Sequence, residues 1–193
     1  MSAGNLPIII GISGASGAPY AIALLSALRR LGVPTHLIVS RAAEITLTQE
    51  TDLTLSDLYT LADHVHEPED IAAQPSSGSF RTRGMIIAPC SVRTMSEIAT
   101  GVTTSLLTRA ADVTLKERRP LLLMVRETPL HSGHLRTMLA LSEMGAIIAP
   151  PVPAFYARPA TVADIVEASV GRALDLFGLD SGRVHRWDGI SPD

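Results

Sequence analysis

Five short apolar runs, Ile8–Ile12, His36–Val39, Met85–Ala88, Leu121–Val125 and Ala146–Ala149, constrain the fold of this chain more than any other feature. A strand with one wet face alternates polar and apolar residues. A nearly unbroken run instead fits a strand covered on both sides, as in a parallel sheet. Between the runs lie stretches with helical spacing, at Ala18–Leu31, Ala42–Glu50, Met95–Thr100, Ser105–Arg118 and Leu130–Met144. A last one, Val162–Phe177, starts behind Thr161, with Asp164 placed to complete a capping box. Strands alternating with helices predict an α/β, doubly wound, Rossmann-like (flavodoxin-like) parallel sheet flanked by helices. The chain has 193 residues, 46% of them hydrophobic, enough for a core without disulfides or metals. One domain over 1–193 is expected, with a core of about 6–178 and a C-terminal tail over 179–193.

Composition removes several function classes. Cys90 is the only cysteine, which excludes an intrachain disulfide framework and Cys-rich zinc sites. No segment approaches the roughly 18 apolar residues of a membrane span, and the first residues lack the basic start of a secretion signal. A cytoplasmic protein is expected. The net charge of −3 argues against a nucleic-acid binder. Of the 16 basic residues only Lys116 is a lysine. Codon preference accounts for the arginines, but not for the one lysine.

Two strand ends carry chemistry. The first run enters GISGASGAPYA, where Gly11, Gly14 and Gly17 alternate with Ser13 and Ser16. A strand turning into a helix there offers free N–H groups and the positive end of a helix dipole, which suit a phosphate. It is neither a P-loop nor GxGxxG, since serines stand at the second and third glycine positions. The next run ends Val39-Ser40-Arg41, without the acidic residue that would bind a dinucleotide ribose. The run Met85–Ala88 leads into a second candidate, Ala88-Pro89-Cys90-Ser91-Val92-Arg93-Thr94, again delivering hydroxyls and a cation from a strand end to a helix start. Ligands of doubly wound sheets bind beyond the strands' carboxyl ends, so both segments can face one crevice and hold a phosphorylated cofactor. By itself the first could also be only a tight turn. Cys90 reads as a small buried thiol rather than a nucleophile, having no evident His partner.

Further along, Arg109 and Lys116 are seven residues apart, on one helical face. Arg126 and Glu127 follow an apolar strand, as either a structural ion pair or site chemistry. His131 and His134 could touch one metal, but no third ligand lies near in sequence, and capping or surface roles suit them better. The stretch Pro150–Pro159 (PPVPAFYARP), with four prolines, reads as a stiff extended loop that holds its two aromatics in place, or simply as a rigid connector.

Taken in order, GISGASGAPYA, SSGSF, PCSVRT, TRAADVTLKERRPL, RETPLH and PPVPAFYARP resemble the UbiX flavin prenyltransferases, over Ile8 to Trp187. The resemblance implies an enzyme that joins the dimethylallyl group of dimethylallyl monophosphate to N5 and C6 of reduced FMN. Its product, prenylated FMN, would be the cofactor of a UbiD-type decarboxylase. The residues carried over for FMN are Gly14, Ala15, Ser16, Ser40, Ser91, Val92, Arg93, Thr94 and Arg126. Those for the prenyl phosphate are Lys116, Arg126, Tyr156 and Arg172. Glu127, Lys116 and Ser16 would take part in catalysis, with Arg109 supporting a phosphate and Trp187 a candidate for closing the site. No metal is expected, because a monophosphate held by cations needs none and no DDxxD-like cluster is present. The family also implies a homo-oligomer, a dodecamer with active sites at subunit interfaces. Two other readings are a flavin-dependent cysteine decarboxylase and a non-catalytic FMN-binding subunit of a decarboxylase. The first is disfavoured because Pro89–Thr94 replaces the PxxANT-like motif of those enzymes.

Overall fold

The computed structural model describes residues 6–187 and 189. Among these residues six strands form one parallel sheet: β1 (Ile8–Ile12), β2 (Thr35–Val39), β3 (His64–His66), β4 (Gly84–Cys90), β5 (Leu121–Val125) and β6 (Ile147–Ile148). Their order is β3-β2-β1-β4-β5-β6, the Rossmann order. Set the short edge strand β3 aside, and the other five follow the flavodoxin-like order, so both sequence expectations describe the same sheet. The four central strands β2, β1, β4 and β5 are buried at every residue, as unbroken apolar runs require.

Among the described residues, seven helices cover the two faces: α1 (Ala18–Arg30), α2 (Arg41–Glu50), α3 (Leu55–Tyr59), α4 (Val92–Thr100), α5 (Leu106–Lys116), α6 (Ser132–Glu143) and α7 (Val162–Asp175). On one face Ile8, Ile10, Leu37, Ile86 and Leu122 pack against α1 and α7. Alternate residues Ile9, Ile38, Met85, Ile87 and Leu123 pack on α4, α5 and α6 on the other. Thr161 and Asp164 form the capping box expected at the start of α7.

Two elements were not legible in the sequence. α3 buries only Leu58, and β3 is the polar triplet His-Val-His, so neither carries a periodic apolar signal. A short polar edge strand also discourages further strand addition. Gln74–Arg83 lacks strands, as its composition suggests, but begins with a 3-10 turn at Gln74–Ser76. In the tail, Val184 and Ser181 pack over Gly171 of α7, where a Cβ would lie 2.8 Å from the Ser181 hydroxyl. No helix among the described residues is long and apolar enough to cross a membrane.

Candidate active site

The strand order reverses between β1 and β4, and the turns leaving these two strands are fastened together. Ser13 Oγ donates to the Pro89 carbonyl at 2.9 Å and accepts from Ser91 N–H at 2.7 Å. The neighbouring strands join them: Ser40 N–H donates to the Ile12 carbonyl and Arg126 N–H to the Cys90 carbonyl. Four strand ends are thus held in one rim at the switch point, where such sheets bind ligands.

The glycines of the first turn have local reasons. A Cβ on Gly14 would overlap the Ala42 side chain, so glycine there lets the first turn of α2 close onto the β1–α1 turn. Gly17 adopts φ 128°, a conformation side chains rarely accept, and directs the chain into α1. Among the described residues, the N–H groups of Gly14, Ala15 and Ser16 have no protein partner, which leaves three donors for a ligand.

A cleft of about 580 Å³ opens over this rim, within the usual range for a cofactor site. Gly14, Ala15, Ser16, Ser40, Ser91, Val92, Arg93, Thr94 and Arg126 all line it, and so does Glu127. These are the nine positions carried over for FMN, together with Glu127, carried over for catalysis. Free N–H donors, hydroxyls and the guanidinium groups of Arg41, Arg93 and Arg126 in one cleft fit a phosphorylated flavin. Some of the hydroxyls also hold the walls. Ser40 caps α2 by accepting from Ala43 N–H, and Ser91 caps α4 by accepting from Thr94 N–H. Arg93 is paired with Glu97 at 2.9 Å. Glu127 accepts from Thr128 N–H through Oε1 at 2.9 Å, which orients its carboxylate.

The prenyl-phosphate candidates do not all gather there. Tyr156 and Arg172 line a separate cavity of about 150 Å³ beyond the end of β6, against α7. Arg172 is paired with Asp175 at 2.7 Å. Trp187 stands edge-on to Tyr156, with ring centres 5.9 Å apart. Lys116 lies at the other end of α5, beside the amino ends of the strands, paired with Glu117 at 2.5 Å. Arg109 is paired with Asp112 on the same helix. Arg126 alone of the phosphate candidates faces the large cleft.

The structure adds Glu50, which carries no sequence signal because its partners lie more than thirty residues away. From the last turn of α2 its Oε2 accepts from Gly17 and Ala18 N–H, both at 2.8 Å. Burial works to raise the carboxyl, but the Ser16 hydroxyl, those two N–H groups and the Arg126 charge outweigh it. Its pKa falls below the usual value. Cys90 is fully buried, and burial pushes its thiol up to about 12, so it is inert. His131 caps α6, its Nδ1 accepting from Gly133 N–H at 3.0 Å, the capping role expected for it.

Comparison with known proteins agrees with this geometry. The flavoprotein family model matches residues 2–174. A flavin prenyltransferase UbiX from Thauera aromatica is 55% identical over 182 residues, covering 94% of each chain. A UbiX crystal structure in complex with FMN and dimethylallyl pyrophosphate superposes with a TM-score of 0.95 at 50% identity, covering 97% of this chain and all of that one. A dodecameric FMN-dependent UbiX-like decarboxylase from Escherichia coli O157:H7 gives 0.94 at 51% identity, over 95% of this chain and all of that one. The peptidyl-cysteine decarboxylase EpiD, at 12% identity and a TM-score of 0.61, shares the fold alone. From strand order to cleft lining to sequence identity, the chain belongs to the UbiX flavin prenyltransferase family of flavoproteins.

Proposed function

We propose that this chain transfers the dimethylallyl group of dimethylallyl monophosphate to N5 and C6 of reduced FMN, without a metal. The observation that carries the reading is the switch-point cleft, where all nine positions carried over for FMN meet beside Glu127. Reduced FMN supplies the nucleophilic centres and the prenyl phosphate the alkyl group.

The residues divide the remaining work. As the allylic C–O bond breaks, negative charge grows on the phosphate, and Lys116, Arg126 and Arg172 take it up through charge-assisted hydrogen bonds. Tyr156 adds a hydroxyl donor. Glu127 has Oε1 occupied by Thr128 N–H, which leaves Oε2 to accept the proton lost on ring closure. Ser16 is exposed at the cleft with its hydroxyl near Glu50, placed to orient a reacting group.

One chain does not collect these groups: Lys116, the Tyr156–Arg172 cavity and the Arg126 cleft occupy separate places. Association of copies supplies the missing parts, in a homo-oligomer with active sites at its interfaces, a dodecamer like the E. coli relative. Exposed apolar side chains support such association. Leu135 and Leu139 lie on α6, which buries only Leu141, and Phe155 in the proline-stiffened loop is 72% exposed. The product would pass to a UbiD-type decarboxylase, in the cytoplasm, where a reduced flavin is sustained.

Anaerobic incubation with reduced FMN and dimethylallyl monophosphate, then mass spectrometry of the flavin, tests the reading. A gain of one prenyl unit is expected. Unmodified flavin from folded protein, with either the mono- or the pyrophosphate, overturns it in favour of a flavin-storing subunit.

A further inference from the structure

The loop Ser77–Phe80 lies beside the end of α5, far from the cleft, and is held there by one side chain. Arg119 Nη1 donates to the Phe80 carbonyl at 2.6 Å and Nη2 to the Gly78 carbonyl at 2.7 Å. A planar guanidinium fork can bridge two carbonyls in this way, whereas an ammonium is a single point of charge. The preceding Arg118 adopts φ 56°, a left-handed turn that ends α5 before Arg119 meets the loop. On the loop's other side the Phe80 ring packs on His36, centres 4.9 Å apart.

Held in this position, the loop is a wall for the Lys116–Glu117 pair. A Cβ added to Gly78 would lie 2.7 Å from Lys116 Nζ and would overlap the Glu117 carboxylate. Glycine therefore makes room for both charged tips, and the wall limits where the ammonium can point. Lysine has a long, flexible stem and loses freedom when fixed, so a preformed wall lowers the cost of presenting it to an anion.

We infer that Arg119 is a positioning residue for prenyl transfer, its fork fixing the Ser77–Phe80 loop so that Gly78 sets the direction of the Lys116 ammonium. The inference rests on the reading of Lys116 as a prenyl-phosphate ligand. It adds that the lysine's placement comes from a backbone wall, with Glu117 as its partner.

Lys116 is the only lysine, so protein labelled with 13Cε-lysine gives one side-chain signal that reports its surroundings. The full-length variants Gly78→Ala and Arg119→Met are compared with the parent and with Lys116→Ala. Gly78→Ala meets only the tips of flexible side chains, so its fold and melting temperature stay close to the parent's even if Arg119→Met is destabilised. The expected result is a displaced Lys116 signal in both variants. KM for dimethylallyl monophosphate should rise by about tenfold, with FMN affinity unchanged, a split that general loss of structure would not give. An unmoved Lys116 signal in Gly78→Ala overturns the inference. So does a moved signal with unchanged KM, provided Lys116→Ala raises KM. If Lys116→Ala also leaves KM unchanged, the prenyl-phosphate reading of the lysine fails, and the role of Arg119 in the reaction fails with it.

Discussion

Glu50 shows how one carboxylate can tie a helix to a site. At the end of its own helix its charge opposes the α2 dipole, yet it accepts from the first N–H groups of α1, where negative charge is favoured. Because its folded pKa lies below the usual 4.5, the stabilisation is complete above that value and is lost as pH falls through the folded one. Glu50→Gln keeps the shape and removes the charge. It should lower stability at pH 7 by about 1 kcal/mol. Thermal melts should show the gap between parent and variant narrowing between pH 7 and pH 3. An equal gap at both pH values would mean that shape, not charge, is what matters. Nothing in the sequence around Gln49-Glu50 marks this role, since its partners come from another helix.

At the scale of elements, the β2–β3 edge is built on histidines. His36 on β2 is buried, with Nδ1 2.8 Å from His66 Nε2 on β3. The ring of His64, also on β3, lies 4.6 Å from it. Burial first, then the charges of His66 and His64, lower the His36 pKa to about 4, against an opposing effect of Asp63. Above pH 6.5 the imidazole is neutral both folded and unfolded, so pH has no leverage on it. Between 6.5 and 4 the unfolded chain takes a proton that folded His36 refuses. Stability should therefore fall over that window, by on the order of 2 kcal/mol. Denaturant titrations should show a flatter pH dependence for His36→Leu. A slope the same as the parent's would place the acid sensitivity elsewhere. Here too the sequence was of limited help: His36 sits in a legible apolar strand, but its partners lie on a strand too short and polar to recognise.

For the whole molecule, the decisive question is whether one chain or several build the active site. In a single chain Lys116 and Glu127 lie at opposite ends of the sheet, one in the last turn of α5 and the other just after β5. Lys116→Ala and Glu127→Gln should each turn over far more slowly than the parent as pure oligomers. Refolded together from equal amounts, they should recover about a quarter of the parent activity, the share of sites that draw an intact lysine from one chain and an intact glutamate from another. No recovery in well-mixed oligomers would put both residues of a site on the same chain.

Read by itself, the sequence determined the class of sheet, the cleft and most of its lining. Continuous apolar runs must be buried on both faces, and the residues just after them are then fixed at one end of the sheet. The turns at Gly14–Ser16 and Ser91–Thr94 were legible for that reason, as short segments next to strong strands, while Ser40 and Arg126–Glu127 were assigned to the site through the family resemblance. Tertiary structure alone placed Glu50 on the start of α1, closed the sheet edge with three histidines and set Arg119 beneath the Ser77–Phe80 loop. It also separated Lys116, Tyr156 and Arg172 from the cleft. Each of these depends on the distance between segments remote in the chain, and such distances are set by packing rather than by any local pattern.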